Sequence, residues 1–159
     1  MPMLDEGALM PDHALATPDG GTVRPSDLRG RPAVLFFYPK DDTPGCTAQA
    51  KDFSALAADF ADAGVALLGI SKDAPERHRK FAAKHGLRVP LASDALQDGL
   101  SDALGIWTEK AMYGRTYMGM QRTTYLVDGD GRIVRVWRKV KVPGHAAEVL
   151  AAARDLVGR

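Results

Sequence analysis

Apolar residues concentrate in two short runs, Ala33 to Tyr38 and Val65 to Ile70. The first is apolar at odd and even positions alike, the pattern of a strand covered on both faces. Between them the period changes. From about Cys46 to Ala63, Phe53, Leu56, Ala57 and Phe60 form one apolar stripe, and Lys51, Asp52, Asp59 and Asp62 a wet side. That is an amphipathic helix, with Gly64 as its C-terminal cap. A strand, a helix and a second strand, joined by a connection this long, predict a parallel βαβ unit.

The flanking segments are shorter. Residues 1–12 read as a lead-in. His13 to Pro18 and Thr22 to Arg24, around Asp19-Gly20-Gly21, predict a hairpin. Ser26 caps a short turn that ends at Gly30. Asp73 caps a helix with Pro75 in its first turn, Phe81 as its core anchor and Gly86 after its last. Val89-Pro90-Leu91 reads as an edge strand, because proline cannot donate to a ladder. Asp94 caps a short helix with Leu96, Leu100 and Leu104 on one side, ending at Gly105. Met112 to Met120 lacks periodicity and reads as a loop whose large side chains pack in the core or wall a cleft. Thr123 to Val127, Asp128-Gly129-Asp130-Gly131 and Arg132 to Val140 predict a hairpin. The last helix turns Val149, Ala153, Leu156 and Val157 inward.

This order places the chain in the α/β class. A βαβ unit followed by an antiparallel hairpin and a terminal helix is a thioredoxin-like arrangement: a central mixed sheet flanked by helices, here with an N-terminal hairpin extension. With 159 residues and no internal linker or repeat, one domain spanning residues 1–159 is expected.

Composition narrows the function. The 45% hydrophobic share is ordinary for a globular chain. Net charge is +1 with both signs interspersed, which argues against a nucleic-acid surface. No apolar run approaches the roughly 20 residues of a membrane span. The first ten residues carry Asp5 and Glu6 and lack a secretory pattern. A single cysteine excludes an intramolecular disulfide and fits a cytoplasmic protein.

That cysteine, Cys46, stands at the start of the predicted helix, after the loop Pro39-Lys40-Asp41-Asp42-Thr43-Pro44-Gly45. Unpaired N–H groups and the positive end of the helix dipole favour thiolate over thiol there. The plainer reading is a small core hydrophobe, since Cys46, Ala50, Phe53, Ala57 and Phe60 share a face. A thiolate that cleaves an O–O bond needs donors for the departing oxygen and a site that sheds water. The helix start and the Thr43 hydroxyl offer polar partners, Pro39 an apolar lid, and a nearby guanidinium would favour the thiolate without acting as a base.

Pro39-x-x-x-Thr43-x-x-Cys46 resembles the peroxiredoxin signature, and Phe37 to Thr47 is similar to the bacterioferritin-comigratory (Q-type) branch. Gly105-Ile106-Trp107, Lys110-x-Met112-Tyr113-Gly114, Gln121-Arg122-Thr123-Thr124 and Val136 to His145 extend the resemblance in order from about His13 onward. It implies a cofactor-free thiol peroxidase for hydrogen peroxide and organic hydroperoxides. Cys46 would be the peroxidatic cysteine, Thr43 the catalytic threonine, Pro39 the shielding proline and Arg122 the active-site arginine. Many Q-type members carry a resolving cysteine five residues further on, where this chain has Lys51; others carry one in the following helix, and this chain has none. The resemblance is therefore to a one-cysteine variant. Its sulfenic acid would be reduced by an external thiol of the thioredoxin, glutaredoxin or glutathione type, or by another subunit's Cys46, in a monomer or homodimer. Gln49 stands where a glutamate is common.

Two other functions compete. A thiol–disulfide oxidoreductase would need a Cys-x-x-Cys pair, and Thr43 occupies the partner position. A non-enzymatic redox switch would use Cys46 alone. His13, His78, His85 and His145 lack metal-ligand spacing, and His78 and His85 read as the flank of a helix around Phe81. Asp128 to Gly131 is too short for a calcium loop. Trp107, Met112 and Tyr113 are candidates for a cleft that takes bulkier hydroperoxides or for a subunit contact.

Overall fold

The computed structural model describes residues 3–95 and 98–158. Among the described residues nine strands form two sheets. The strands are β1 (Leu15–Ala16), β2 (Thr22–Val23), β3 (Ala33–Phe37), β4 (Ala66–Ser71), β5 (Leu91–Ser93), β6 (Trp107–Met112), β7 (Arg115–Met120), β8 (Thr123–Val127) and β9 (Ile133–Arg138). The helices are α1 (Pro44–Ala55), α2 (Ala57–Asp62), α3 (Pro75–His85), α4 (Leu100–Leu104) and α5 (His145–Val157).

The main sheet runs β2-β1-β5-β4-β3-β8-β9. β3 pairs in parallel with β4, and β4 with β5; the other pairings are antiparallel. The sheet is mixed and the βαβ unit is present. Each parity of β3 serves its own core. Ala33, Leu35 and Phe37 pack with Leu100, Leu104, Ile106, Met120 and Tyr125 on one face. Val34, Phe36 and Tyr38 pack with Phe53, Phe60, Phe81 and Val149 on the other. Phe36 stacks on Phe53 of α1 with ring centroids 4.3 Å apart. Gly69 of β4 makes room for that stack, since a Cβ there would lie 2.6 Å from Phe36 Cζ.

Several expectations change. The helix from Cys46 to Ala63 is two helices, broken at Leu56, whose N–H bonds back to the Phe53 carbonyl and closes a tighter turn. The strand near Pro90 is interior: β5 lies between β4 and β1, and Pro90 falls before it, where its missing N–H costs no ladder bond. Ser26 does not cap the first turn. That turn is a 3₁₀ helix over Pro25–Leu28, and the Asp27 carboxylate accepts from the Arg24 N–H. Asp73 is not the cap of α3 either, as shown below. The N-cap of α4 is Gly99 and not Asp94, whose carboxylate instead reaches the helix start from a distance, accepting from the N–H groups of Leu100 and Ser101 at 3.0 and 2.7 Å. Leu96, expected on that helix, lies outside the described residues. Val157 faces outward, 44% exposed, at the frayed end of α5.

The largest change is at Met112 to Met120. It is no loop: β6 and β7 pair over six residues as a separate two-stranded sheet. Tyr113 and Gly114 turn the corner with φ of +53° and +76°, the left-handed pair a tight hairpin turn requires. Both faces of this ribbon are largely wet, so no alternation marks it in the sequence. It meets the core only at its base, through buried Met120 and half-buried Trp107. The lead-in, by contrast, docks. Gly7 N–H bonds to the Ile133 carbonyl and Ile133 N–H to the Ala8 carbonyl, and Met10 is buried.

Candidate active site

β3 ends at Phe37, Tyr38 follows, and Pro39 begins a loop that carries the chain to α1. Thr43 is the N-cap of α1 in an extended conformation and Pro44 occupies the first helical position, where a proline loses no hydrogen bond. Cys46 is the third helical residue. The ladder of α1 starts with Thr47 N–H to the Thr43 carbonyl at 2.8 Å, so the Gly45 and Cys46 amides belong to the leading N–H groups that a helix leaves unpaired.

Cys46 has both an apolar and a polar environment. It is 1% exposed and packs into the core beneath α1. Its sulfur also accepts a hydrogen bond from Arg122 Nη2 at 3.3 Å. Arg122 comes from the two-residue link between β7 and β8, 76 residues along the chain. Its Nη1 donates to Gln49 Oε1 at 2.5 Å. The guanidinium thus forks between a sulfur and a neutral amide. Gln49 is buried, and its Nε2 has no protein partner. Gly45 admits the arginine: a Cβ there would stand 3.3 Å from Arg122 Nη2.

Thr43 Oγ1 donates to the Lys40 carbonyl at 2.9 Å. Its proton is thereby directed into the loop, which leaves the oxygen's lone pairs as acceptors. Pro39 is half-buried at the loop's start. Pro39, Thr43 and Cys46 therefore belong to this loop and the helix start, and Arg122 reaches Cys46 from the link between β7 and β8.

Sequence reasoning missed the polar layer beneath the loop. Asp41 and His78 are both fully buried, and His78 Nδ1 lies 2.6 Å from Asp41 Oδ2. The expectation that His78 flanks its helix is thus overturned. It lies three residues before Phe81, on the same inward face of α3, and that spacing was the available signal. Tyr38 Oη donates to Asp41 Oδ1 at 2.6 Å; burial and the Asp41 charge raise the tyrosine's pKa far above its usual value, so it remains a donor. The Asp73 carboxylate accepts from the Asp41 N–H at 2.8 Å and the Ser71 hydroxyl at 2.7 Å, which is why it is not free to cap α3. The ligand atoms of Asp41, Asp73 and His78 lie within 4.8 Å of one another, and these mutual bonds account for the grouping. Asp42 follows with φ of +61°. Its exposed carboxylate takes Lys84 and His85, which hold its pKa below the usual range.

His145, at the start of α5, sits against β8. Its Nε2 is 2.8 Å from Thr124 Oγ1. Burial lowers its pKa to about 4, so the ring is neutral at pH 7.

A buried thiol at a helix start, held by a guanidinium and without a second cysteine, defines a one-cysteine thiol enzyme on a thioredoxin-like scaffold. The AhpC/TSA family profile matches residues 7–136, and the chain belongs to that family. Peroxiredoxin Bcp of Bacillus subtilis is 42% identical over 153 residues, which cover 96% of this chain and 97% of that protein. A structure of the Xanthomonas campestris bacterioferritin comigratory protein, a study of its alkyl peroxide reduction, superposes with a TM-score of 0.87 at 39% identity and 98% coverage of each chain. A cysteine-to-serine mutant of Xylella fastidiosa PrxQ superposes with a TM-score of 0.89 at 36% identity, again over 98% of each. The chain is accordingly a thiol-dependent peroxidase of the Bcp/PrxQ branch.

Proposed function

We propose that Cys46 is the peroxidatic cysteine and that Arg122, Thr43 and Pro39 complete its site. The observation that carries this reading is the 3.3 Å contact between Arg122 Nη2 and Cys46 Sγ at the start of α1. A permanent cation and the leading N–H groups of α1 face the sulfur, where they can meet a departing oxygen.

The thiolate attacks the terminal oxygen of hydrogen peroxide or an organic hydroperoxide. An S–O bond forms, the O–O bond breaks, and hydroxide or alkoxide leaves and takes a proton from water. Arg122 and the Cys46 N–H meet the charge that develops on the leaving oxygen. The Thr43 oxygen accepts from the peroxide's O–H and aligns it, and Pro39 limits water at the loop's start. The sulfur is left as Cys46 sulfenic acid, the first reversible step of cysteine oxidation. With Lys51 in place of a second cysteine, an external thiol condenses with it to a mixed disulfide and water. A second thiol then releases Cys46. Thioredoxin, glutaredoxin or glutathione in the cytoplasm would supply these thiols to a monomer or homodimer. Among the described residues no helix is long and apolar enough to cross a membrane.

Intact-mass measurement during reaction with hydrogen peroxide tests this reading. One oxygen should be added rapidly and be trapped by a sulfenic-acid reagent. Cys46→Ser should abolish turnover and keep the fold; residual turnover in that variant would remove Cys46 from the mechanism.

A further inference from the structure

We propose that the cavity at the end of the main sheet opposite Cys46 is a docking site for the apolar C-terminal end of a peptide, taken up as a short strand beside β4 with its carboxylate on Arg31 and Arg88. The site lies outside the peroxidase machinery and stands or falls independently of it.

β3, β4 and β5 run parallel, so their first residues share one end of the sheet. Cys46 follows the last residues of β3, at the other end. The starts do not line up. β3 and β4 are paired from Ala33 and Ala66, whereas β5 joins β4 only at Leu91, opposite Gly69. In a parallel ladder successive residues turn their N–H and carbonyl to opposite sides. Ala66 N–H bonds to the Pro32 carbonyl on the β3 side, and Gly69 N–H to the Pro90 carbonyl on the β5 side. Leu67 shares the parity of Gly69, so its N–H and carbonyl point to the side where β5 has not begun. Among the described residues neither group has a partner there. A short piece of open strand edge is the result.

That edge opens on a cavity of about 710 Å³, within the roughly 300–1,000 Å³ of small-ligand sites. Val23, Leu28, Leu67 and Leu91 give it apolar walls, and the small side chains of Ala57 and Ala61 on α2 leave the space open. Arg31 and Arg88 line it too. Both are exposed, and among the described residues neither guanidinium has an ion-pair or hydrogen-bond partner. Asp19 also lines the cavity, but its carboxylate is taken up in its own turn, where it accepts from the Thr17 hydroxyl and the Gly21 N–H.

These features match three parts of one ligand. An unpaired N–H and carbonyl on one residue suit a backbone that offers both an acceptor and a donor. The walls suit aliphatic side chains. The two guanidiniums suit a carboxylate, which arginine takes in a forked bond. A C-terminal peptide end carries all three, and addition of a strand to an open edge is a general mode of peptide capture. A fatty acid carries the chain and the carboxylate but no donor for the Leu67 carbonyl.

Titration of the full chain with the peptide acetyl-Leu-Leu-Val, followed by calorimetry and amide NMR, tests the site. Binding should shift the Leu67 and Leu91 amide signals, slow hydrogen exchange at Leu67 N–H and leave the peroxide rate constant as it was. Arg31→Gln and Arg88→Gln should each weaken binding by roughly tenfold, as loss of one charge-assisted bond predicts. An amide in place of the peptide's carboxylate should do the same, and so should methylation of its backbone nitrogens, which removes the donor for Leu67. Ala61→Leu fills the cavity with a good helix former and should abolish binding, with the parent's peroxide rate showing that the fold is intact. No binding of the peptide at millimolar concentration, equal binding of its amide, or an unmoved Leu67 amide would overturn the proposal. So would decanoate that binds as tightly as the peptide and is weakened by the same variants, since that would make the cavity a lipid site. Failure here leaves the assignment of Cys46 untouched, because neither arginine touches the sulfur or Arg122.

Discussion

Residues 39–46 and residues 107–120 look alike in sequence: both mix charged, threonine and glycine residues without period. In the folded protein they are opposites. Each polar side chain of the first segment that faces inward meets a partner: Asp41 meets Tyr38 and His78, and Thr43 meets the Lys40 carbonyl. The second is a ribbon held by its own ladder, with Met112, Tyr113, Tyr117 and Met118 exposed. Its base is fixed, however: Met120 is buried and the next residues lead to Arg122. Order at the site follows from whether polar groups are satisfied inside the fold, and not from how hydrophobic the segment is.

Arg122→Ala is the sharpest way to break that contrast, since it removes the one group the ribbon's base delivers to the loop. Loss of a single transition-state donor predicts a fall of about 10²- to 10³-fold in the peroxide rate constant, measured by stopped flow. Arg122→Lys keeps the charge but not the fork to Gln49 and Cys46, so it should recover only part of that loss.

Gly69→Ala attacks the scaffold under the loop. The added methyl meets Phe36, whose ring supports α1. Overpacking of this kind costs about 1–3 kcal/mol, readable as a lower urea midpoint.

A third prediction concerns pH. The folded pKa of His145, about 4, lies below its unfolded value of 6.5. The unfolded chain therefore takes up this proton first. Stability from this group is complete above pH 6.5, declines as pH falls toward 4 and levels off below. Urea unfolding between pH 7 and pH 4 should show this slope, and His145→Asn should flatten it.

The smallest effect belongs to the ribbon. Tyr117→Ser and Met118→Ser should change stability by no more than about 0.5 kcal/mol and leave the peroxide rate unchanged. A large loss of rate would mean that the ribbon's outer half shapes the site after all.

Much of this was legible in the residues. The double parity of Ala33 to Tyr38 announced a strand covered twice, and β3 serves two cores. The apolar stripe that follows the loop ending at Gly45 placed Cys46 at a helix start. Thr43, Pro39 and Arg122 were named through the resemblance to the family, not through periodicity. The ribbon escaped because a hairpin wet on both faces leaves no alternation to read. His78 looked like a flank because one helix turn does not reveal what lies opposite it.

By itself, then, the sequence determined the elements and the chemistry available. These are the βαβ unit, a lone thiol at a helix N-terminus and the absence of any second cysteine, all set by local pattern and count. Only the tertiary structure decided that Arg122 reaches Cys46 across 76 residues and that Asp41 finds His78 under the loop. Those contacts depend on strand order and on which side chains meet in the core, and neither is written in any local stretch of the chain.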